Sequence, residues 1–293
     1  MKVILDFLRL IRINNILMIA ITQLFAYYFL NPTIEFYNIF DKEFIFLIIS
    51  TSLVASAGYI INDYMDVKLD LINKPDKVIV GKTISRRWTM LLHFTCTIIA
   101  LLLAYSIGKK VMMMVFISSC LLWIYSQFLK KTYLSGNILV SLLTANTLLI
   151  LFFYDKNVSA NGIIVYSIFA FLISLIREII KDTEDLRGDQ QFKCKTLPIV
   201  LGVRKTKNVL LWLQTTLIIL CFTCVSLFEI LSYSSNKIYL MFFMYQLLLV
   251  LIPMGIMWWL IKLADTKYDF TRLSFVAKMI MLSGIISMVF WRF

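Results

Sequence analysis

Apolar residues run along this chain in long blocks, and polar residues gather in the short stretches between them. A helix needs roughly 17 to 25 apolar residues to cross a hydrocarbon core. Blocks of that length fall at about 14–31, 44–62, 88–107, 111–129, 137–154, 161–180, 208–230, 238–262 and 272–291. The pattern predicts an all-α polytopic membrane protein of about nine transmembrane helices, a single transmembrane domain over 1–293. Eight or ten helices are also compatible, because only "IGKK" separates the third block from the fourth. Most connections are short. Two are long, 63–87 and 181–207, and both lie on the same side of the membrane when the blocks are threaded in order; long loops are where function concentrates.

The first long loop opens on "NDYMDVKLDLINKPD" and the second reads "REIIKDTEDLRGDQQFKCKTLP". Asp63, Asp66 and Asp70 are spaced by three and four residues, and Asp182, Asp185 and Asp189 repeat that spacing. Each triplet follows a helix running in the same direction and is itself followed by a proline, Pro75 or Pro198. Four intervening blocks place the triplets on one membrane face in parallel orientation, as in a duplicated unit whose axis is the membrane normal. Two acidic sites would then face each other across a central cavity. Positions i, i+3 and i+7 share one side of a helix, so each triplet converges if its helix continues past the membrane surface.

Composition agrees with the block pattern: 60% of the 293 residues are hydrophobic and 16% charged, with a mean hydropathy of +0.85, outside the range of soluble domains. With the N-terminus cytoplasmic, 23 of the 29 Lys and Arg residues lie in inner loops or at inner helix ends. The net charge of +12 is mostly this positive-inside bias, and no basic soluble domain exists to bind nucleic acid. The expected location is therefore the cell (inner or plasma) membrane. No small-residue cleavage site follows the first block, which is read as a retained helix. Of five cysteines, Cys96, Cys120, Cys221 and Cys224 fall in predicted spans and Cys194 in a loop; "CFTC" inside an apolar helix reads as packing, and disulfides are not expected.

Six carboxylates near a low-dielectric boundary need a cation among them or they neutralise by binding protons. Oxygen ligands without His or Cys suit Mg²⁺, and the lone His93 offers no zinc site. Lys68, Lys74, Lys77, Arg177, Lys181, Arg187, Lys130 and Lys131 lie among or near the acids. Carboxylate-bound metal ringed by Lys and Arg is a way to hold a diphosphate leaving group. In a membrane protein the natural diphosphate ester is a polyprenyl diphosphate, its tail between helices. A lone triplet would be read as a solvated helix end; two copies at one spacing, with eight of the 17 acids in these two loops, favour a site. The aromatic content of 15% adds little, since interfacial belts account for most of it.

"NDYMDVKLDLINKPDK" resembles the first aspartate motif of the UbiA superfamily of intramembrane prenyltransferases, and "KDTEDLRGD" resembles the second. The similarity runs over nearly the whole chain. The wording is most like the branch that transfers geranylgeranyl to geranylgeranylglycerol phosphate, more than the quinone, haem or chlorophyll branches. The resemblance implies that Asn62, Asp63, Asp66 and Asp70 hold one Mg²⁺ and Asp182, Asp185 and Asp189 the other, all six aspartates being catalytic. It also implies that Lys77, Lys130, Arg177 and Lys181 contact the prenyl diphosphate. Tyr125 matches a family tyrosine near the cavity, with interfacial anchoring as its other reading. Where relatives often read NRPxRP this chain has "NKPDKV", and lysine keeps the charge but loses the bidentate fork.

The expected partners are a prenyl diphosphate, a lipid or aromatic acceptor, and membrane lipids. The favoured reaction joins the prenyl group to the glycerol hydroxyl as an ether. Prenylation of an aromatic ring, and a transporter of divalent cations or polyanions, remain as alternatives. An acceptor phosphate would need further bases. Lys193, Lys195, Arg86 and Arg87 are candidates, although the positive-inside rule accounts for them equally.

Overall fold

Among the described residues, nine apolar helices carry the structure, and most of their ends fall close to the blocks read from the sequence. The computed structural model describes residues 2–231 and 236–292, the side chains at 2–3, 77, 227–231 and 236 excepted. A short helix α1 (Lys2–Leu10) leads into α2 (Ile13–Phe29), followed by α3 (Lys42–Asn73), α4 (Arg86–Ile107), α5 (Lys109–Gln127), α6 (Ser135–Tyr154) and α7 (Ala160–Glu184). Two short helices, α8 (Leu186–Gln191) and α9 (Leu197–Leu201), precede α10 (Val203–Leu231), α11 (Asn236–Gln246), α12 (Ile252–Leu263) and α13 (Lys267–Ile286). Among the described residues, eight helices are long and apolar enough to cross a membrane. The ninth, α2, has 17 residues, at the lower limit for a span. The chain is a multi-pass membrane protein.

The block at 238–262 is one span in three pieces, α11, a π-helical turn at Leu247–Leu251, and α12. Pro253 supplies the reason: it has no N–H to donate, and its ring crowds the carbonyl one turn back, so the helix widens there.

Among the described residues there are three buried clusters: one packs Leu10 of α1 and Ile60 of α3 against Ile79, Val80 and Ile84, and α7 belongs to both of the larger two. Ile163 and Tyr166 join the cluster of α2–α6, around Leu30, Phe44, Leu47, Ala100 and Leu151. Ile173, Ile176, Ile179 and Ile180 join the cluster of α10, α12 and α13, around Leu217, Met254, Ile261 and Leu273. Outward-facing side chains such as Leu102, Tyr105 and Trp212 are also large and apolar, as lipid-facing surfaces require. Between helices, polar clasps replace apolar burial as the specific glue. Gln23 donates to Thr147 O at 3.0 Å and accepts from Thr51 at 2.7 Å, and Ser50 donates to Ala100 O at 2.8 Å.

The two long loops expected at 63–87 and 181–207 are mostly helical. At 1.5 Å per residue the 32 residues of α3 reach about 48 Å, against about 30 Å of hydrocarbon, so its last third projects beyond the core. Asp63, Asp66 and Asp70 lie on that projecting third. The second triplet differs: α7 stops at Glu184, Asp185 turns the chain, and Asp189 rides on α8. Equal spacing in sequence therefore corresponds to one continuous helix in the first motif and a helix–turn–helix in the second.

Candidate active site

Both motifs meet at one end of the bundle, held by contacts across long sequence separations. Gly188 N donates to Asn73 Oδ1 at 2.9 Å, and Lys74 Nζ bonds Asp185 Oδ2 at 2.6 Å. Lys267 caps the end of α3 by donating to Asn73 O at 2.9 Å. Gly188 is required by this packing: a Cβ there would lie 2.4 Å from both amide atoms of Asn73.

Between the motifs sits Lys130, on the 3-10 turn Leu129–Lys131 after α5. It bonds Asp66, which is buried, and reaches Asn62 Oδ1 at 3.3 Å. Burial alone would lower the Lys130 pKa, but Asp66, with Tyr125 and Asp70 nearby, raises it above the usual lysine range, so the ammonium stays charged. Its place depends on Gly136: a Cβ there would stand 2.7 Å from Leu129 O and 3.2 Å from Lys130 Cα, so only glycine lets the first turn of α6 pass beneath the lysine.

Asp63 accepts from Arg12 Nη2 at 2.8 Å, and the same guanidinium lies over the Tyr59 ring at 4.8 Å. Arg12 adopts φ 53° and ψ 56°, a left-handed conformation unusual for arginine, between α1 and α2. Strain of this kind is found where a side chain has to be aimed, and here it turns Arg12 toward Asp63. Asp182 accepts from Asn137 Nδ2 at 2.7 Å. Asp189 is buried, accepts from Thr196 Oγ1 at 3.4 Å, and is pushed up to about 6 by that burial. Asp70 is half-buried one turn beyond Asp66.

Among the described residues, no three acidic, His or Cys side chains converge as a preformed metal cluster. Protein cations and amides hold the carboxylates instead. The donor set nevertheless fits Mg²⁺: the ligands are oxygens throughout, and Asp185 Oδ1 is buried without a hydrogen-bond partner. A buried carboxylate oxygen left open in this way calls for a cation.

Alongside the motifs lies a cavity walled by α3, α5 and α6, with side chains of α2 and α7 also lining it. Tyr125 lines it, as do Asn62, Arg12, Arg177 and Lys181. The structure separates the basic residues into two groups. Lys130 and Lys74 sit on the aspartates, whereas Arg177 and Lys181 both donate to Glu178 Oε1, at 2.9 and 2.6 Å. The side chain of Lys77 lies outside the described residues. Lys193, Lys195, Arg86 and Arg87 are exposed, Arg86 stacking on Tyr64 at 4.4 Å.

Sequence reasoning missed Arg12, Glu178 and Asn137. Glu178 carried a readable signal, standing one helical turn before Asp182 in "REIIKD". Arg12 had only its charge, which the positive-inside rule already absorbed, and Asn137 lies 45 residues from its partner.

Comparison with known proteins decides the family. The model of the UbiA prenyltransferase family matches residues 19–282. The chain belongs to the UbiA prenyltransferase family. A digeranylgeranylglyceryl phosphate synthase from Korarchaeum cryptofilum is 32% identical over 183 residues, 62% of this chain and 65% of the relative. Another from Pyrococcus abyssi is 35% identical over 54% of this chain and 56% of the relative. One from Saccharolobus solfataricus is 31% identical over 73% and 75%. The chain thus spans less than two thirds of the length of the first two of these UbiA relatives. A solved structure described as a digeranylgeranylglyceryl phosphate synthase shares the fold, with a TM-score of 0.69 and 22% identity over 99% of both chains. A UbiA homologue from Archaeoglobus fulgidus bound to GPP and Mg²⁺ also shares the fold, with a TM-score of 0.62 and 16% identity over 97% of this chain and 99% of that one.

Proposed function

We propose that this UbiA protein transfers a geranylgeranyl group from its diphosphate to the hydroxyl of geranylgeranylglycerol phosphate, releasing diphosphate, with Mg²⁺ as cofactor. The observation that carries the reading is the meeting of two aspartate motifs, 119 residues apart in sequence, around Lys130 and Lys74 beside an apolar-walled cavity. The names of the relatives and the GPP and Mg²⁺ bound by the Archaeoglobus homologue support it.

In this reading Asn62, Asp63, Asp66 and Asp70 would hold one metal ion and Asp182, Asp185 and Asp189 the other. Bound there, Mg²⁺ supplies charge neutralisation for the departing diphosphate. Lys130 and Lys77 would bind diphosphate oxygens. The apolar wall formed by Val54, Leu122, Val140 and Ile150 keeps water from the allylic carbon, and the Tyr59 and Tyr125 rings flank the cation that develops there. The acceptor hydroxyl oxygen forms a bond to that carbon, the carbon–oxygen bond to diphosphate breaks, and the hydroxyl proton leaves with the diphosphate. The motif end faces the cytoplasm, in keeping with 23 of 29 basic residues on that side.

Purified protein incubated with labelled geranylgeranyl diphosphate, Mg²⁺, and either geranylgeranylglycerol phosphate or an aromatic acid tests the reading by mass spectrometry of products. An ether of the glycerol phosphate is expected. Prenylation of the aromatic acid alone would move the protein to the quinone-type chemistry.

A further inference from the structure

Besides the cavity at the aspartate motifs, an adjoining one lies between α2, α7 and α13, with Thr144 and Thr147 of α6 also lining it. Its wall is apolar over most of its length, with Met18, Phe169, Ala170, Met281 and Met288 among the lining. The two cavities share Ile19, Tyr59, Thr144, Thr147 and Arg177, so Arg177 stands at the point where they meet. Its guanidinium donates to Glu178 through Nη1, while its Nε is buried and has no hydrogen-bond partner. Arg12 and Lys181 bring two further cations to the same spot. Glu178 and Asp63 balance only part of that charge.

A buried, incompletely satisfied guanidinium at the head of an apolar chamber is the arrangement that takes an anion attached to a hydrocarbon tail. We infer that Arg177 binds the phosphate of the acceptor, whose isoprenoid tail lies in the α2–α7–α13 chamber, while the donor occupies the neighbouring cavity at the aspartates. The inference rests on the function proposed above and refines it. Arg177 passes from the donor diphosphate to the acceptor, and the exposed Lys193, Lys195, Arg86 and Arg87 are relieved of that role. Each substrate has its own tail, and the reacting hydroxyl and allylic carbon approach across Tyr59. A small aromatic acceptor would leave the second chamber unused.

The test measures kcat/KM of purified full-length protein for geranylgeranylglycerol phosphate and for the same alcohol lacking its phosphate, with labelled geranylgeranyl diphosphate as donor. Loss of a charge-assisted hydrogen-bonded contact is worth about 10- to 100-fold. The wild-type protein is expected to prefer the phosphorylated acceptor by at least that factor. In Arg177→Gln the preference falls to within a few-fold, with the KM for donor unchanged; Arg177→Lys, which keeps the charge but not the fork, falls between. Ala170→Phe, which narrows the chamber, raises the KM for the long-tailed acceptor and spares one with a five-carbon tail. If Arg177→Gln does not yield folded protein, Arg177→Lys and Ala170→Phe decide. A preference for phosphate retained in the Arg177 variants, or a rise in donor KM instead, overturns the inference and leaves the proposed reaction standing. Wild-type protein that prenylates neither acceptor overturns the reaction itself.

Discussion

Gly188→Ala tests how the two aspartate motifs are held together. The new methyl would stand 2.4 Å from both Nδ2 and Oδ1 of Asn73, about 1 Å inside ordinary contact. Asn73 is buried, and its Nδ2 already lacks a partner, so the side chain has no solvent to turn toward. Moving it aside gives up the 2.9 Å bond from Gly188 N, about 1 kcal/mol net, and leaves a buried acceptor unsatisfied, about 1–3 kcal/mol more. Against this, alanine in the helix gains about 1 kcal/mol over glycine. The expected loss is about 1–3 kcal/mol, with a fall in prenyl transfer as α8 shifts relative to α3. Thermal unfolding of the purified protein in detergent measures it, and a double-mutant cycle with Asn73→Ala isolates the contact. Once Asn73 is truncated the methyl has room, so Gly188→Ala should then be neutral or stabilising by up to about 1 kcal/mol. Additive effects, or a single variant as stable as the wild type, would refute this account of the clamp.

Gly136→Ala should destabilise by at least about 2 kcal/mol, because its Cβ would meet main-chain atoms that cannot rotate away, and kcat should fall with the displacement of Lys130; melting curves and initial rates check both. Lys130→Met leaves Asp66 buried and unpaired, a cost of about 3 kcal/mol, and added Mg²⁺ should recover more of the melting temperature in this variant than in the wild type. An equal response in both would show that Lys130 and the metal do not share Asp66. Asp63→Ala and Asp182→Ala should each abolish Mg²⁺-dependent turnover while the protein elutes and melts as a folded species; full activity in either removes that residue from the metal site. A cysteine at position 76, in a variant with the other cysteines removed, should react with a membrane-impermeant thiol reagent only in inside-out vesicles, as a cytoplasmic motif end requires.

Much of this protein was legible in the order of its residues. Apolar block length is a local property, so nine helices could be placed from it, and charge bias pointed to a side for the motifs. The spacing of Asp63, Asp66 and Asp70 marked one helical face, and α3 does continue through all three because its 32 residues outrun the hydrocarbon. The same spacing misled at 182–189, where the chain breaks at Asp185 so that Gly188 can seat against Asn73. Tertiary structure alone decided which charge meets which. Arg12 finds Asp63 across 51 residues, Lys130 finds Asp66 across 64, and Lys74 finds Asp185 across 111. Each of these bases would have satisfied the positive-inside rule in solvent. An ion pair at a membrane surface depends on where packed helices leave their ends, and that is a sum over the whole bundle which no local window contains. The division of Lys130 and Lys74 from Arg177 and Lys181 arises in the same way: α7, buried in both cores, turns Glu178 toward the cavity and carries the second pair of bases with it.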